Sequence, residues 1–445
     1  MDKIRIRTLF MIIMSGALFF NLEEVGADVS KFHGFAEMDY GAKVSDDNTK
    51  RDNFNLLEQR LQLKTMYTFE GENYEPRGVH SHKPNVVYGY LAEKSSVLNF
   101  KGDFTVDEYF SGKTDFELRE LNITLTPYRL MDAQFGRQII TWGTGDYLFV
   151  NDLFPKDYIS FFIGRDDEYL KKPSDAMKLS FYPSPANVDF VVSPFEPNTI
   201  PEGDRLSFFD SFQGGIAGVN SDRDLLEPPL QLSNNEYALR IYRNFESNEL
   251  AFYYFRGFDK NPTSYKDEAA RQLFYPRLDV YGTSLRGPTS GGIGNIEFGY
   301  YNSREDSGGN NRLIANSLFK VLTGYEKDLG SDLKIGLQYL YEQTSDYGNY
   351  KANLLPTDFV FDESRHLLAQ RITKLYKNQT IAVSLFNFYS PSNRDGYVRP
   401  TASYNISDQW KATLGANLPW GEDDLTEFGQ MKRNKNVFFR ARYSF

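Results

Sequence analysis

The chain lacks cysteine altogether, has four histidines, and contains no apolar run long enough to make a membrane helix. Without thiols there is no disulfide scaffold, no thiolate zinc site, no haem-attachment motif and no cysteine nucleophile. The longest nearly continuous apolar stretch, Leu9 to Phe20, covers 12 residues. A helix needs roughly 20 to cross a bilayer, so a helical integral membrane protein is excluded. Basic charge is also in deficit, with 50 Lys+Arg against 60 Asp+Glu and a net charge of -10. That balance opposes nucleic-acid binding, because phosphate recognition needs a basic footprint. What the chain has in plenty is Tyr and Phe, 30 and 37 of them among 445 mostly polar residues.

The first residues form an address. Lys3, Arg5 and Arg7 precede the apolar run, and Val25-Gly26-Ala27 follows with the small residues that a signal peptidase reads. A secretory signal peptide over 1–27 is the expectation, leaving 28–445 as the mature domain. Export without cysteine suits a bacterial envelope protein better than a small disulfide-rich secreted one.

Within 28–445 the recurring signal is alternation of apolar and polar residues over 9 to 14 positions, broken by turn clusters. Leu57, Leu61, Leu63, Tyr67 and Phe69 share one face of an extended segment, and Glu58, Arg60, Gln62 and Lys64 share the other. Period two places these sets on opposite sides of a sheet. The pattern predicts about 18 strands, the first near 32–42 and the last near 434–445. Counted from the C-terminus, tight turns alternate with mostly longer connections near 419–433, 344–363, 258–274, 195–234 and 141–173. The exceptions are a short connection at 111–114 and an irregular stretch at 71–95. Short turns at one end and long loops at the other predict an all-β, transmembrane antiparallel β-barrel of the outer-membrane type, short end periplasmic. A soluble sandwich would alternate as well, and loop length is what separates the two.

The last strand alternates Val437, Phe439, Ala441, Tyr443 and Phe445 with Phe438, Arg440, Arg442 and Ser444. Its aromatic end, Tyr443 and Phe445, resembles the signal recognised by the bacterial barrel-assembly machinery. The abundance of Tyr and Phe then fits aromatic girdles at two bilayer interfaces, with outer-membrane lipid and lipopolysaccharide as partners.

The stretch from Glu117 to Tyr158 resembles a widespread Gram-negative family of porin-like outer-membrane barrels, related in style to alginate-export proteins. The resemblance rests on Arg119, Glu120, Leu121, Gly136, Arg137, Gln138, Trp142, Gly143, Asp146, Asp152, Pro155 and Asp157. It implies a channel in the outer membrane, for small polar solutes or for an exported polymer. Read as residues, Arg137 and Gln138 lead through Trp142 into a polar segment at 141–173, and segments this long without strand patterning are usually functional. One role is a loop that folds inward and narrows the pore, with Arg137 clamped to Asp146, Asp152 or Asp157 by a bidentate pair. The other is a loop pinned on the rim.

Strands of clear phase place the acids Glu58, Asp103, Asp107, Glu120, Asp132, Glu297, Glu326 and Glu342 on the inner face. With them lie the bases Arg60, Lys64, Lys101, Arg240, Lys320, Lys334, Lys411, Arg440 and Arg442. Such a balanced wall gives no ring of one sign, so the sequence does not assign the pore to anions or to cations. The histidines, His33, His80, His82 and His366, stand in no catalytic or metal-ligand spacing, although His80 and His82 share one side of an extended segment. Gly291, Gly292 and Gly294 fall in a turn between strands rather than in a phosphate loop, and Asp306 to Asn311 lacks the ordered spacing of a calcium loop. No enzyme activity, metal or cofactor is expected. The rival to a channel is a structural barrel, either an adhesin presenting 195–234 and 344–363 or a sheath around a periplasmic or surface partner protein.

Overall fold

Segments that alternate on a period of two can bury one face only by pairing side by side, and here they pair all the way round. The computed structural model describes residues 32–45, 53–70, 95–110, 112–201, 203, 205–210, 215–218, 224–269 and 271–445. The expected leader at 1–27 and the stretch 71–94 with His80 and His82 lie outside the described residues.

The wall consists of β1 (His33–Lys43), β2 (Phe54–Glu70), β3 (Ser95–Asp107), β4 (Lys113–Tyr128), β5 (Met131–Gln138) and β6 (Ser174–Phe181). It continues with β7 (Asn187–Ser193), β8 (Glu236–Phe245), β9 (Asn248–Phe258), β10 (Arg277–Thr289), β11 (Gly292–Ser303) and β12 (Leu318–Asp328). The last six are β13 (Leu333–Thr344), β14 (Ser364–Tyr376), β15 (Ile381–Ser390), β16 (Asp395–Asn405), β17 (Trp410–Gly421) and β18 (Asn436–Ser444). Each pairs antiparallel with its neighbours in sequence, and β1 also pairs with β18. The result is a closed 18-stranded antiparallel barrel.

All the segments expected from alternation are strands, with small shifts at their ends. β12 begins at Leu318 instead of 314 because the residues before it bond elsewhere: the Ala315 amide donates to Ser264 Oγ at 3.0 Å. β5 stops at Gln138 because the chain then turns into the lumen, where Ile140 is buried. The tight turns contain pairs of residues at positive φ, such as Ser331 (50°) with Asp332 (59°) and Lys377 (48°) with Asn378 (53°). Turns of this hand match the twist of the flanking strands. One connection at the long-loop end, 391–394, is also a tight turn, with Arg394 at φ 50°.

The outer face is apolar. Phe252, Leu285, Leu337, Leu368, Leu385 and Leu414 stand exposed on it. Exposed aromatics gather at both ends, with Tyr128, Phe245, Tyr376, Tyr404, Trp410 and Phe445 near the short turns. Tyr40, Phe104, Phe116, Tyr237, Tyr300, Phe319, Tyr389 and Trp420 lie near the long loops.

Closure rests on β1 and β18. Nine register pairs join them, from Phe35 with Ser444 to Lys43 with Asn436. Phe445 extends the pairing, since the Gly34 amide donates to its carbonyl at 3.0 Å and its own amide donates to the Gly34 carbonyl at 3.1 Å. A Cβ on Gly34 would lie 1.9 Å from the Gln62 carbonyl oxygen, so glycine is required for this close approach. Deleting Phe445 removes two backbone hydrogen bonds of about 1 kcal/mol each at the seam. The folded fraction, read as the heat-modifiable band on a gel, should fall; an unchanged fraction would show that the seam holds without its last residue.

Candidate functional site

A barrel this wide leaves a lumen that the inner side chains of the wall cannot fill alone. Here the segment 139–173, between β5 and β6, folds inward and follows the inner wall around most of its circumference. It begins against β9, where Trp142 packs edge-on to Phe154 at 5.1 Å and lies 6.1 Å from the Tyr253 ring. It next meets Glu297 of β11, a carboxylate with 0% exposure. Glu297 accepts from the Thr144 amide, from Thr144 Oγ1 at 2.7 Å, from the Gly145 amide at 2.9 Å, and from the Asn151 amide and Nδ2 at 3.2 and 2.9 Å. One wall side chain therefore receives five donors from the loop. Gly143, at φ +78°, allows the close pass, since a Cβ there would sit 3.2 Å from this carboxylate.

Further round, an apolar band on the wall takes an apolar face of the loop. Leu322, Leu340, Leu367, Ala369, Phe386, Phe388 and Tyr397 are buried against Leu148, Val150, Phe161, Phe162 and Ile163. Each large side chain so covered contributes about 1.5–3 kcal/mol. Phe161 to Ile163 reach the band on a short helix, Tyr158–Ile163. Asp157 caps its start by accepting from the Ser160 amide at 3.0 Å, and Gly164 ends it in the left-handed region at φ 97°.

The acidic run after the helix then meets arginines of the wall. Asp166 pairs with Arg440 and Arg442, each at 3.1 Å, Asp167 with Arg399 at 2.8 Å, and Glu168 with Lys101 at 2.8 Å. Burial pushes the Asp166 carboxyl up, but the two guanidiniums outweigh it and hold it below the usual range. The Tyr169 ring lies between Arg60 at 4.0 Å and Arg119 at 4.6 Å, and Arg119 donates to the Glu168 and Lys171 carbonyls at 3.2 and 3.0 Å.

The inner edge of this ring bears Thr141, Asp146, Tyr147, Asp167 and Lys171. Lys171 Nζ donates to Thr141 Oγ1 at 2.8 Å, and the Tyr147 hydroxyl donates to Asp167. Asp146 is about half exposed and sits 3.1 Å from Arg371. Burial pushes the Asp146 carboxyl up, Arg371 draws it back, and Asp167 and Glu326 raise it further.

Of the six loop candidates, five belong to the ring or its anchorage. Gln138 fastens the point of departure by donating to the Gly136 and Ala176 carbonyls at 3.2 and 3.1 Å. Trp142 and Asp157 act as described. Asp152 is buried and pairs with Lys156 at 3.0 Å, and burial lowers that ammonium although Asp152 opposes the shift. Asp146 faces the aperture. Arg137 does not take part, and the expected clamp to Asp146, Asp152 or Asp157 is absent. In register Arg137 opposes Leu121 and Asp175, both outward. Its guanidinium meets Asp175 at 3.2 Å, and its Nε donates to the Leu118 carbonyl at 2.6 Å on the outer side of the rim. Counting two residues on from Phe135 puts Arg137 outside, and the strand's own period carries that information.

The expected lumenal charges all fall on the inner face, and most are occupied. Glu58 binds Arg60 and, at 2.5 Å, Arg165 of the ring; Arg60 also binds Asp103 at 2.7 Å. Asp107 binds Arg205 from the 194–235 connection. Lys320 and Arg365 share Glu342 at 2.7 Å each, Arg240 meets Glu249 at 2.6 Å, and Lys334 meets Glu326 at 2.8 Å. Lys64 lies opposite Lys101 in register, and Glu120 opposite the same lysine. Glu37 and Asp39 of β1, which face Arg442 and Arg440 in register, were not singled out by sequence. Their spacing of two, matched by Arg440 and Arg442, is the available signal. Arg371, Arg399 and the run Arg165 to Glu168 were also missed.

Two outcomes follow. Replacing Glu297 with Gln sets an NH2 group, which cannot accept, against at least two of the five donors, at about 1–3 kcal/mol per unsatisfied buried group. The segment 141–171 of the folded variant should be cut faster by protease than in the parent; equal cutting would remove Glu297 from the anchorage. Arg137→Ala should leave the protection of that segment unchanged, because the side chain lies outside the wall, and faster cutting would contradict its placement.

No protein-family model and no curated protein matches the sequence. Among solved structures the chain is similar to OccK11 (OpdR) of Pseudomonas aeruginosa, at 9% identity over 96% of this chain and 99% of that one, with a TM-score of 0.54. It also aligns with Salmonella typhi OmpF in complex with daunomycin (8% identity, 95% and 100% covered, TM-score 0.45) and with a mutant of Rh. blastica porin (11%, 94% and 100%, 0.42). At such identities the likeness is one of fold, and the first of these shares the barrel over nearly its whole length.

Proposed function

We propose that this chain is an outer-membrane channel through which small polar solutes pass by diffusion, without covalent chemistry. The observation that carries the reading is the inward ring, which lies inside a closed barrel and exposes polar and charged groups such as Thr141, Asp146 and Asp167. The outer face supports the membrane setting, because an apolar band between two aromatic belts fits hydrocarbon between two interfaces. Closure supports it as well, since lipid offers nothing to hydrogen-bond a free strand edge. The ring favours solutes over a threaded polymer, because it lines most of the circumference of the wall. Residues 1–27 would direct export, Tyr443 and Phe445 would present the assembly signal, and lipid and lipopolysaccharide would surround the wall.

The reading is tested by purifying the full mature chain from outer membranes, confirming the folded barrel by heat modifiability, and reconstituting it. Planar bilayers should show stepwise ohmic conductance, and proteoliposomes should swell in glycerol. A folded barrel that neither conducts nor admits glycerol would overturn the proposal and leave a closed structural barrel.

A further inference from the structure

Beside the tip of the inward loop at Thr144 to Asp146, the lumen contains a recess of about 230 Å³ against strands β10 to β14. Its charged lining consists of Arg286, Arg371, Asp146 and Glu326, and its neutral polar lining includes Asn295 and Gln338. The charges differ in how far they are engaged. Among the described residues Arg286 has no ion pair or hydrogen bond through its guanidinium. Arg371 meets Asp146 at 3.1 Å through Nε, an ion pair without hydrogen-bond alignment, since that Nε is buried and unbonded. Its plane is held by the Tyr147 ring at 4.5 Å and the Phe386 ring at 5.6 Å, so its terminal N–H groups are oriented and unused. Asn295 is taken up by Thr144 Oγ1 at 2.8 Å, and Gln338 accepts the Asp146 amide at 3.3 Å, which leaves the Gln338 amide nitrogen as a further donor. The two carboxylates are about half exposed, Asp146 at 47% and Glu326 at 41%.

Two guanidiniums with spare donors and two half-exposed carboxylates face one small space, with the Lys334 ammonium 2.8 Å from Glu326 at its margin, so both signs of charge are presented together. A lone anion would satisfy the guanidiniums and repel both acids, and a lone cation would do the reverse. A neutral molecule would leave the charged hydrogen-bond capacity unused. A molecule with a carboxylate and an ammonium a few bonds apart meets both halves together, and Arg binds carboxylates with planar, paired donors. The volume lies below that of drug-sized sites, which limits the ligand to a small molecule. Resting on the channel reading above, we propose that this recess is a binding subsite for small zwitterions of the free amino-acid type. The carboxylate lies on Arg286 and Arg371, and the ammonium on Asp146 and Glu326. The site is open to water, so each pair contributes a factor of at most about five, and a ligand held so weakly also leaves, as passage requires.

The experiment uses proteoliposomes of the full mature chain and compares the flux of L-alanine, isobutyramide, propionate and ethylammonium, each divided by the flux of glycerol. The alanine ratio should exceed the isobutyramide ratio by about fivefold and should saturate as alanine rises, whereas propionate and ethylammonium gain no such excess. In Arg286→Gln and in Glu326→Gln the alanine ratio should fall toward that of isobutyramide, and an unchanged ratio in a folded variant would overturn the proposal. Should either variant fail to fold, the wild-type ratios and their saturation decide alone. Equal ratios for alanine and isobutyramide in the wild type would overturn the proposal, as would a matching excess for propionate or for ethylammonium. If glycerol itself does not enter, the channel reading fails instead, so the two failures are distinct.

Discussion

Every main-chain donor and acceptor along the wall depends on the meeting of the first strand with the last. β1 and β18 are far apart in sequence, yet their pairing, extended by Gly34 with Phe445, is what leaves the sheet without an edge. An open sheet of this length would present two rows of unpaired backbone groups flanked by an exposed apolar face. Once closed, the same sheet has a largely apolar outside and an inside whose contents the chain must supply. The inward ring is the chain's answer to the second requirement.

Filling and holding the lumen uses two kinds of interaction, placed on different sectors of the wall. Over β12 to β16 the wall carries an apolar band on its inner face, and the loop presents Val150, Phe161, Phe162 and Ile163 to it. Over β18 and β1 to β4, with Arg399 of β16, the wall is charged, and the loop presents Arg165 to Tyr169. Between them Glu297 binds the loop through five donors. The near equality of acids and bases on the inner face then has a structural cause. Most of these charges meet a partner one strand away or on the ring, and few are left unpaired. Breaking such a buried pair strands the other charge at a cost of about 3–5 kcal/mol, which makes the charged sector a strong determinant of where the loop lies.

The barrel was legible in the sequence because its signal is local: a period of two, turns of a known chemistry, and connection lengths that alternate. Lumenal phase was legible for the same reason, and Glu58, Arg60, Asp103 and Lys320 needed only parity. Arg137 shows the limit of reading by motif. Its position beside Trp142 and a run of acids suggested a clamp, whereas parity with Phe135 already placed it outside. Partners were not legible, because they depend on register between strands and on the path of a loop with no period. Nothing local connects Arg440 to Asp166, or Thr144 and Asn151 to Glu297 more than a hundred residues away. Arg371 was overlooked because its strand, β14, carries Leu367, Leu368, Ala369 and Gln370 without a clean alternation. There an apolar inner face, needed to receive the loop, blurs the difference between in and out.

The account stands or falls on the ring covering the inner wall, and the absence of native cysteine makes that coverage directly measurable. Single cysteines placed at Leu322 and Leu367, which are 0% and 2% exposed beneath the loop, can be compared with one at Lys334, whose side chain is 55% exposed. With a membrane-impermeant, hydrophilic maleimide applied to the folded, reconstituted barrel from both sides, the Lys334 position should label rapidly. The Leu322 and Leu367 positions should stay protected until the protein is unfolded. Labelling of the two leucine positions as fast as that at Lys334 would mean that the loop does not lie against the wall, and would contradict the account at its centre.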